Sequence, residues 1–161
     1  MSDKLIDVKI EINADQLMKS LRRLQDGLKD KRPILETIGL DVAQWSRVRI
    51  ESGKNRGPDG SVWAALKKST VKNKVRKGLG HRGILQRYLD LTSSIRASDP
   101  TEDSVSVGSS LIYALIHQMG GKAGRGRKVT IPARPYLGVS EREKKLLEEK
   151  VTLWVKKLLE S

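Results

Sequence analysis

The start of the chain alternates hydrophobic and polar residues and then changes to a helical period. Over residues 6–12, isoleucine and valine alternate with charged residues, which is typical of a strand with one buried face. Asn13 is then placed to cap a first helix, with Gln16 three residues later as in a capping box. The helix is predicted from leucines that recur every three or four residues: Leu17, Leu21, Leu24 and Leu28.

A second helix is predicted from Pro33 to about Ser52-Gly53. Proline favours the first turn of a helix and ends a preceding one, so the first helix should stop before it. The apolar stripe of the second helix consists of Ile34, Ile38, Val42, Trp45 and Val48. Because the connection between the two helices is short, we expect them to form an antiparallel pair.

Shorter elements follow in the second half. Residues 92–97 and 104–107 predict a hairpin around the acidic turn 98–103, extending the sheet of the first strand. After Ser109-Ser110 a short helix is predicted, and Gly120-Gly121 end it. Its apolar face consists of Ile112, Leu115, Ile116 and Met119. Residues 122–128 predict a mobile basic loop, and residues 129–131 predict a strand.

The last helix has the clearest start signal. Ser140 and Glu143 have the spacing of a capping box, and a buried stripe is predicted at Leu147, Val151, Trp154 and Leu158. The elements together predict one α+β domain over residues 1–161, with a small antiparallel sheet of about four strands packed by about four helices. A long basic segment, residues 53–83, interrupts this pattern with one helical turn after Thr70.

Composition excludes several kinds of chemistry. The chain has 161 residues, no cysteine and two histidines, so we expect no disulfide, no metal site and no cofactor. Glu36, Asp41 and Glu51 alternate with basic residues, which favours a solvated helix face over a catalytic pair. His117 is expected to be structural and His81 to lie on the surface. No apolar run is long enough to span a membrane, and we expect folding in a cytosol and no enzymatic activity.

Positive charge is concentrated in one part of the chain. Residues 53–98 carry 11 Lys and Arg and 2 Asp and Glu, which is +9 of the total +13. Cations at this density bind a phosphate backbone without reading its sequence, or they pair with an acidic protein surface. Both partners stay open at this stage. The candidate contacts are Lys67, Lys68, Lys72, Lys74, Arg76, Lys77, Arg125, Arg127 and Lys128.

Two motifs carry a family resemblance. Residues 111–121 read LIYALIHQMGG, and residues 131–138 read IPARPYLG. Together with Gly57-Pro58-Asp59-Gly60, Trp63 and the segment from Ile84 to Ile95, they resemble the phage virion morphogenesis family, which includes tail completion and Mu G-like proteins. The resemblance covers roughly residues 5–155. Leu89 departs from it, because the family usually has glycine there.

The motif residues also have physical interpretations of their own. Pro132 and Pro135 stiffen the backbone on both sides of Arg134, which predicts a guanidinium presented at the end of a strand. Tyr113 and His117 are four residues apart and share a helix side. They either join helix to strand within the monomer or contact another subunit. The candidate contacts are Tyr113, His117, Gln118, Pro132, Arg134, Pro135 and Tyr136.

The resemblance implies a non-enzymatic structural protein of the neck of a tailed bacteriophage. Such a protein completes the tail or joins it to the head, acts as a homo-oligomeric ring, expected to be hexameric, and contacts other neck and tail proteins. It is located in the virion after assembly in the host cytoplasm, with non-specific contact to packaged DNA as a further expectation. The alternative from charge alone is a non-specific nucleic-acid-binding protein of the cytosol.

Overall fold

Helices make up most of the regular structure in the computed structural model, which describes residues 14–160. The strand predicted over 6–12 and its neighbour Asn13 lie outside the described residues. The helices are α1 (Ala14–Lys29), α2 (Arg32–Glu51), α3 (Lys68–Arg76), α4 (Asp90–Ser94), α5 (Ala114–Met119) and α6 (Glu141–Glu160). The strands are β1 (Ile95–Ala97), β2 (Val107–Ser109), β3 (Gly121–Ala123) and β4 (Val129–Ile131). The α+β class is confirmed.

Helix α2 is the central element, and it begins at the predicted proline. Its buried positions are Ile34, Gly39, Ala43, Ser46 and Ile50. The predicted stripe is therefore wrong at Val48, which is exposed. Small residues occupy the buried face because the β1–β2 hairpin lies against it. A side chain on Gly39 would come within 2.6 Å of Val105.

Helices α1 and α6 pack against each other, and this corrects the predicted pairing of α1 with α2. Gly27 lets them approach closely, because a Cβ there would lie 2.5 Å from a methyl carbon of Leu158. Helix α2 instead packs mainly against β1 and α4. The leucine stripe of α1 is consequently only half covered, and Leu17, Leu21 and Leu28 remain exposed.

The capping box of α6 is confirmed by geometry. The backbone N–H of Ser140 donates to Glu143 Oε2 at 2.7 Å, and the N–H of Glu143 donates to Ser140 Oγ at 3.3 Å. Glu143 also pairs with Arg49 of α2 at 2.7 Å. The same carboxylate therefore starts α6 and attaches it to α2.

The four described strands form two separate hairpins instead of one sheet. Strands β1 and β2 pair antiparallel with Ile95 opposite Ser109, which confirms the predicted hairpin. The predicted start of its first strand is wrong, because residues 92–94 belong to α4. Strands β3 and β4 pair antiparallel with Gly121 opposite Ile131. The predicted mobile loop over 122–128 is thus a second hairpin with a 3-10 turn at Arg125–Arg127.

The hydrophobic core lies between α2 and the segments that pass over it. It contains Ala43, Ile50, Trp63, Ile84, Leu91, Ile95, Ala114 and Tyr136. Two of its three largest members come from irregular segments, because Trp63 and Tyr136 lie outside every helix and strand. No helix in the described part of the chain is long and apolar enough to cross a membrane.

Candidate functional site

Helix α5 and the proline-rich segment 131–138 are joined by one glutamine. Gln118 Oε1 accepts the backbone N–H groups of Tyr136 and Leu137 at 2.9 and 3.0 Å, and its Nε2 donates to the Leu137 carbonyl at 3.1 Å. The N–H of Arg134 donates to the His117 carbonyl at 2.8 Å. The side-chain amide of Gln118 therefore satisfies backbone groups of the segment that a neighbouring strand would satisfy in a sheet.

Tyr136 and Trp63 attach the same segment to the core. Tyr136 is fully buried, and its hydroxyl donates to the Ala114 carbonyl at 3.3 Å. Trp63 Nε1 donates to the Pro135 carbonyl at 3.0 Å. Burial raises the pKa of the Tyr136 hydroxyl. These bonds lie within the monomer.

Arg134 differs from the expectation of a cation presented at the surface. Its side chain is only 6% exposed, and it donates from Nε to the Ala64 carbonyl at 3.0 Å and from Nη2 to the Ala65 carbonyl at 3.3 Å. The two prolines restrict the backbone on both sides of Arg134, but the side chain lies in the interior. Burial lowers the pKa of the guanidinium, which nonetheless stays protonated.

Lys74 is likewise buried and does not lie on the basic surface predicted for it. It is 6% exposed, and its ammonium donates to the carbonyls of Arg82 and Gly83. Burial, and then the nearby charges of Arg87 and Arg82, lower its pKa. Lys74 thus closes the loop that follows α3, because it holds residues 82 and 83 against the helix.

Lys74 and Arg134 line the same cavity, which has a volume of about 710 Å³. Its walls come from α3, the segment 83–91, α5 and β4, and they include the apolar residues Leu66, Leu85 and Leu91. Three cations line it together with one carboxylate, Asp90. Within residues 14–160, neither buried cation has an ion-pair partner. We call this space the cation-lined cavity.

His117 also lines this cavity. Its ring lies 5.8 Å from that of Tyr113 in an edge-to-face arrangement, and its Nδ1 is buried without a hydrogen-bond partner in the described chain. Burial and then the charge of Arg134 lower the pKa of His117, so the imidazole is neutral at pH 7. Tyr113 and His117 therefore face the cavity, and it is Gln118 that joins α5 to residues 131–138.

The remaining predicted cations are on the surface. Every candidate of the basic set apart from Lys74 is exposed, and none takes part in an ion pair within residues 14–160. They divide into an α3 group, which consists of Lys67, Lys68, Lys72, Arg76 and Lys77, and a β3–β4 group, which consists of Arg125, Arg127 and Lys128.

Most of the apolar face predicted for α5 lies on the surface of the protein. Ile112 is 98% exposed, Leu115 71% and Met119 70%, whereas Ala114 provides the buried contact. Leu115 and Met119 lie one turn apart on α5, and Ile112 lies in the turn that precedes the helix. Contiguous exposed apolar surface of this kind marks a contact with another molecule.

The carboxylates considered for catalysis are separated in the structure. Asp41 pairs with Lys150 of α6, and Glu36 and Glu51 are exposed on α2. Among the described residues there is no group of three or more His, Asp or Glu side chains that could hold a metal ion.

Comparison with known proteins identifies the family. The phage virion morphogenesis family matches residues 12–156 of this chain. The chain belongs to the phage virion morphogenesis family. A Mu-like prophage FluMu G protein 2 of Haemophilus influenzae is 34% identical over 131 residues, covering 81% of this chain and 83% of its own. The "Putative capsid assembly protein G" of Escherichia phage Mu is 37% identical over 138 residues, 84% of this chain and 86% of its own.

No solved structure gives a significant match. The family match spans α1 to most of α6, so the cation-lined cavity and both hairpins lie inside the region that defines the family. Family membership gives the chain a role in phage virion assembly, among other virion proteins.

Leu89 has the backbone conformation that a glycine would favour. Its φ is 66°, in the left-handed region, at the residue before α4. The departure from the family's usual glycine therefore keeps the same turn, with an L side chain held in a strained conformation.

Two residues of the site were missed by sequence reasoning in their actual roles. The sequence predicts Gln118 as a possible subunit contact, not its bonds to residues 136 and 137. It also does not predict the bond from Trp63 to the Pro135 carbonyl. Neither has a local signal, because each side chain meets a partner that is far away in sequence. The large side chain of tryptophan with one polar N–H was the only available indication for Trp63.

Proposed function

We propose that this chain is a structural, non-enzymatic component of the neck or tail of a phage particle. It completes the tail or joins it to the head, and it acts as a homo-oligomeric ring. Family membership supports the virion role, and the surface supports the mode of action. The observation that carries the proposal is the uncovered apolar face of α5.

That face favours a protein partner. Ile112, Leu115 and Met119 expose large aliphatic side chains, and such side chains gain free energy when another apolar surface covers them. A phosphate backbone offers them no comparable contact, because affinity for DNA comes mainly from its charge. We therefore assign α5 to a contact between virion proteins.

The exposed cations favour a second contact, with an acidic partner. The α3 group has no carboxylate neighbours in ion-pair distance within the described chain, so its positive charge is available to an acidic partner. In a ring at the neck, the β3–β4 group is the better placed of the two for DNA, because it stands on the turn of a hairpin.

Deletion of the gene from the phage tests the proposal. We expect filled heads and separate tails that fail to join, visible by negative-stain electron microscopy. Normal particles of full infectivity would contradict the proposal. Complementation with the intact chain should restore joined particles, and complementation with a Leu115→Asp variant should not.

Non-specific nucleic-acid binding is the second candidate function, favoured by the α3 group, whose cations form no ion pair within residues 14–160. It predicts affinity for duplex DNA that falls steeply between about 50 and 200 mM salt. The slope of log affinity against log salt concentration is roughly proportional to the number of phosphate contacts. Neutralising Lys68 and Lys72 together should reduce this slope by about two. Absence of binding at 50 mM salt would reject this function.

A further inference from the structure

The cation-lined cavity holds more positive charge than the monomer neutralises. Lys74 and Arg134 are both only 6% exposed, and their described partners are neutral backbone carbonyls. Arg87 adds an exposed cation at the rim, and Asp90 is the one carboxylate among the lining residues. Charges in a partly desolvated space interact more strongly than charges in water, so the cavity attracts an anionic group.

The turn of the β1–β2 hairpin has the opposite charge. Residues 99–103 contain Asp99, Glu102 and Asp103 and no basic residue, and all three are exposed. Asp103 pairs with Lys31, whereas Asp99 and Glu102 have no ion pair within residues 14–160. These residues belong to the acidic turn, residues 98–103.

The acidic turn is pre-organised for binding. The N–H of Thr101 donates to the Ser104 carbonyl at 2.8 Å, and the N–H of Ser104 donates to Thr101 Oγ1 at 3.1 Å. These bonds fix the loop between the strands, so little further ordering is needed when the turn meets a partner.

The acidic turn and the cavity lie at opposite ends of α2. Asp103 pairs with Lys31 just before the first turn of this helix. At the other end, Gln86, which lines the cavity, donates from Nε2 to the carbonyl of Ile50 at 2.6 Å. Twenty residues of helix separate the two ends, which is about 30 Å at 1.5 Å per residue. The turn is therefore remote from the cavity of its own chain.

We propose that the acidic turn of one copy docks at the cation-lined cavity of the next copy. This inference rests on the proposed ring and names its subunit contact. Two different surfaces meet in such a contact, so each copy can bind a neighbour on either side, and the contact closes into a ring when the rotation between copies permits it. Glu102 and Asp99 approach Arg87 at the rim, and the buried cations behind it supply attraction.

The same surface is a poor receptor for duplex DNA. Lys74 and Arg134 line the cavity together with apolar residues that include Leu66 and Leu85, and a duplex is too wide to enter a cavity of this volume. A narrow turn with two carboxylates can approach the rim, where the carboxylates can accept charge-assisted hydrogen bonds from Arg87. The chemistry of the cavity therefore selects an acidic peptide turn.

Cross-linking tests the contact, because the natural chain has no cysteine. A variant with Glu102→Cys and Tyr88→Cys in one chain keeps Asp99 and Arg87, and Tyr88 is an exposed residue of the cavity. It should form a ladder of linked subunits when particles or isolated neck rings are oxidised. A disulfide needs Cα atoms within about 7 Å, so the two cysteines of one chain cannot join. The matched control pairs Glu102→Cys with Lys156→Cys, which is exposed on α6, and it should give no ladder.

Charge exchange supplies an independent measurement. Glu102→Lys alone and Arg87→Glu alone should each lower incorporation into rings by about tenfold or more, as expected for a close interfacial charge pair. The two changes combined in one chain should restore incorporation. Glu148→Lys makes the same change of charge as Glu102→Lys at an exposed position of α6, and it should have little effect on incorporation into rings.

The outcomes separate this inference from the proposed function. Rings that form normally but give no cross-link, with no effect of charge reversal, overturn the docking and leave the ring role in place. Particles without a ring of this chain overturn both. If duplex DNA protects the cysteine of the Tyr88→Cys variant from an alkylating reagent and no ladder forms, the cavity is assigned to nucleic acid and the docking is overturned.

Discussion

Arg134 and Lys74 show how a basic residue becomes part of the interior. Each is 6% exposed and donates hydrogen bonds to two backbone carbonyls that a strand or helix would otherwise satisfy. Cations are seldom buried without a charged partner, so a positive residue in a basic stretch is normally assigned to the surface. In this molecule Arg134 and Lys74 are buried because their side chains bond to backbone carbonyls, and folding brings these carbonyls close to them.

Arg134→Ala should destabilise the monomer. The change removes two charge-assisted hydrogen bonds and the packing of a long side chain, which predicts a loss of about 2–3 kcal/mol in the free energy of unfolding. Urea unfolding measures this directly. Arg125→Ala removes an exposed arginine and should change stability by less than about 0.5 kcal/mol; equal effects of the two would mean that Arg134 does not support the fold.

The protein should be more stable with glycine at position 89 than with alanine there. Alanine removes the side chain but keeps the penalty for φ of 66°, whereas glycine adopts this conformation freely. We expect the glycine variant to exceed the alanine variant by about 1 kcal/mol in unfolding free energy. Thermal melting of the pair decides the matter, and a more stable alanine variant would refute the strained turn.

His117 should make stability depend on pH. Burial and Arg134 lower its pKa in the folded state below its ordinary 6.5, so the unfolded chain binds the proton more readily. Stability is then full above about pH 6.5 and falls as the pH drops through that value. His117→Asn should flatten this dependence between pH 7.5 and 5.5, whereas the exposed His81, replaced in the same way, should leave it intact.

At the scale of single elements, α5 presents its apolar side outward. Its buried contact comes from Ala114, and Gln118 fixes the helix to residues 136 and 137 through its side-chain amide. Gly120 follows with φ of 73°, where a side chain would meet the backbone of Ala133 at 2.8 Å. The helix is thus held by polar bonds and by a close turn, which leaves Leu115 and Met119 free for a partner.

Leu115→Ser should separate assembly from stability. The side chain is 71% exposed, so its removal should change the melting temperature by no more than about 2 °C. Complementation of a gene deletion with this variant should still yield fewer joined particles. Ala114→Ser serves as the control, because that residue is buried and its change should lower stability.

Local signals explain which elements were predictable. The start of α6 was predicted because Ser140 and Glu143 are three residues apart and bond to each other. The buried face of α2 was not, since Gly39, Ala43 and Ser46 are small residues that carry no hydrophobic period. Their burial follows from the approach of β1 and β2, which is a long-range event. The cavity was invisible for the same reason, because its walls come from four separate segments.

Charge is separated along the whole molecule. The acidic turn stands near the start of α2 and the cation-lined cavity near its end, while the exposed cations of α3 lie beside the cavity. A molecule with unlike surfaces at its two ends forms directional contacts. Together with the uncovered face of α5, this arrangement agrees with a subunit that meets both copies of itself and other virion proteins.

Electron cryo-microscopy of the intact particle tests the central claim most directly. We expect density for this chain as a closed ring where the tail meets the head, with α5 against a neighbouring protein. A particle whose neck contains no copy of this chain would contradict a structural role there.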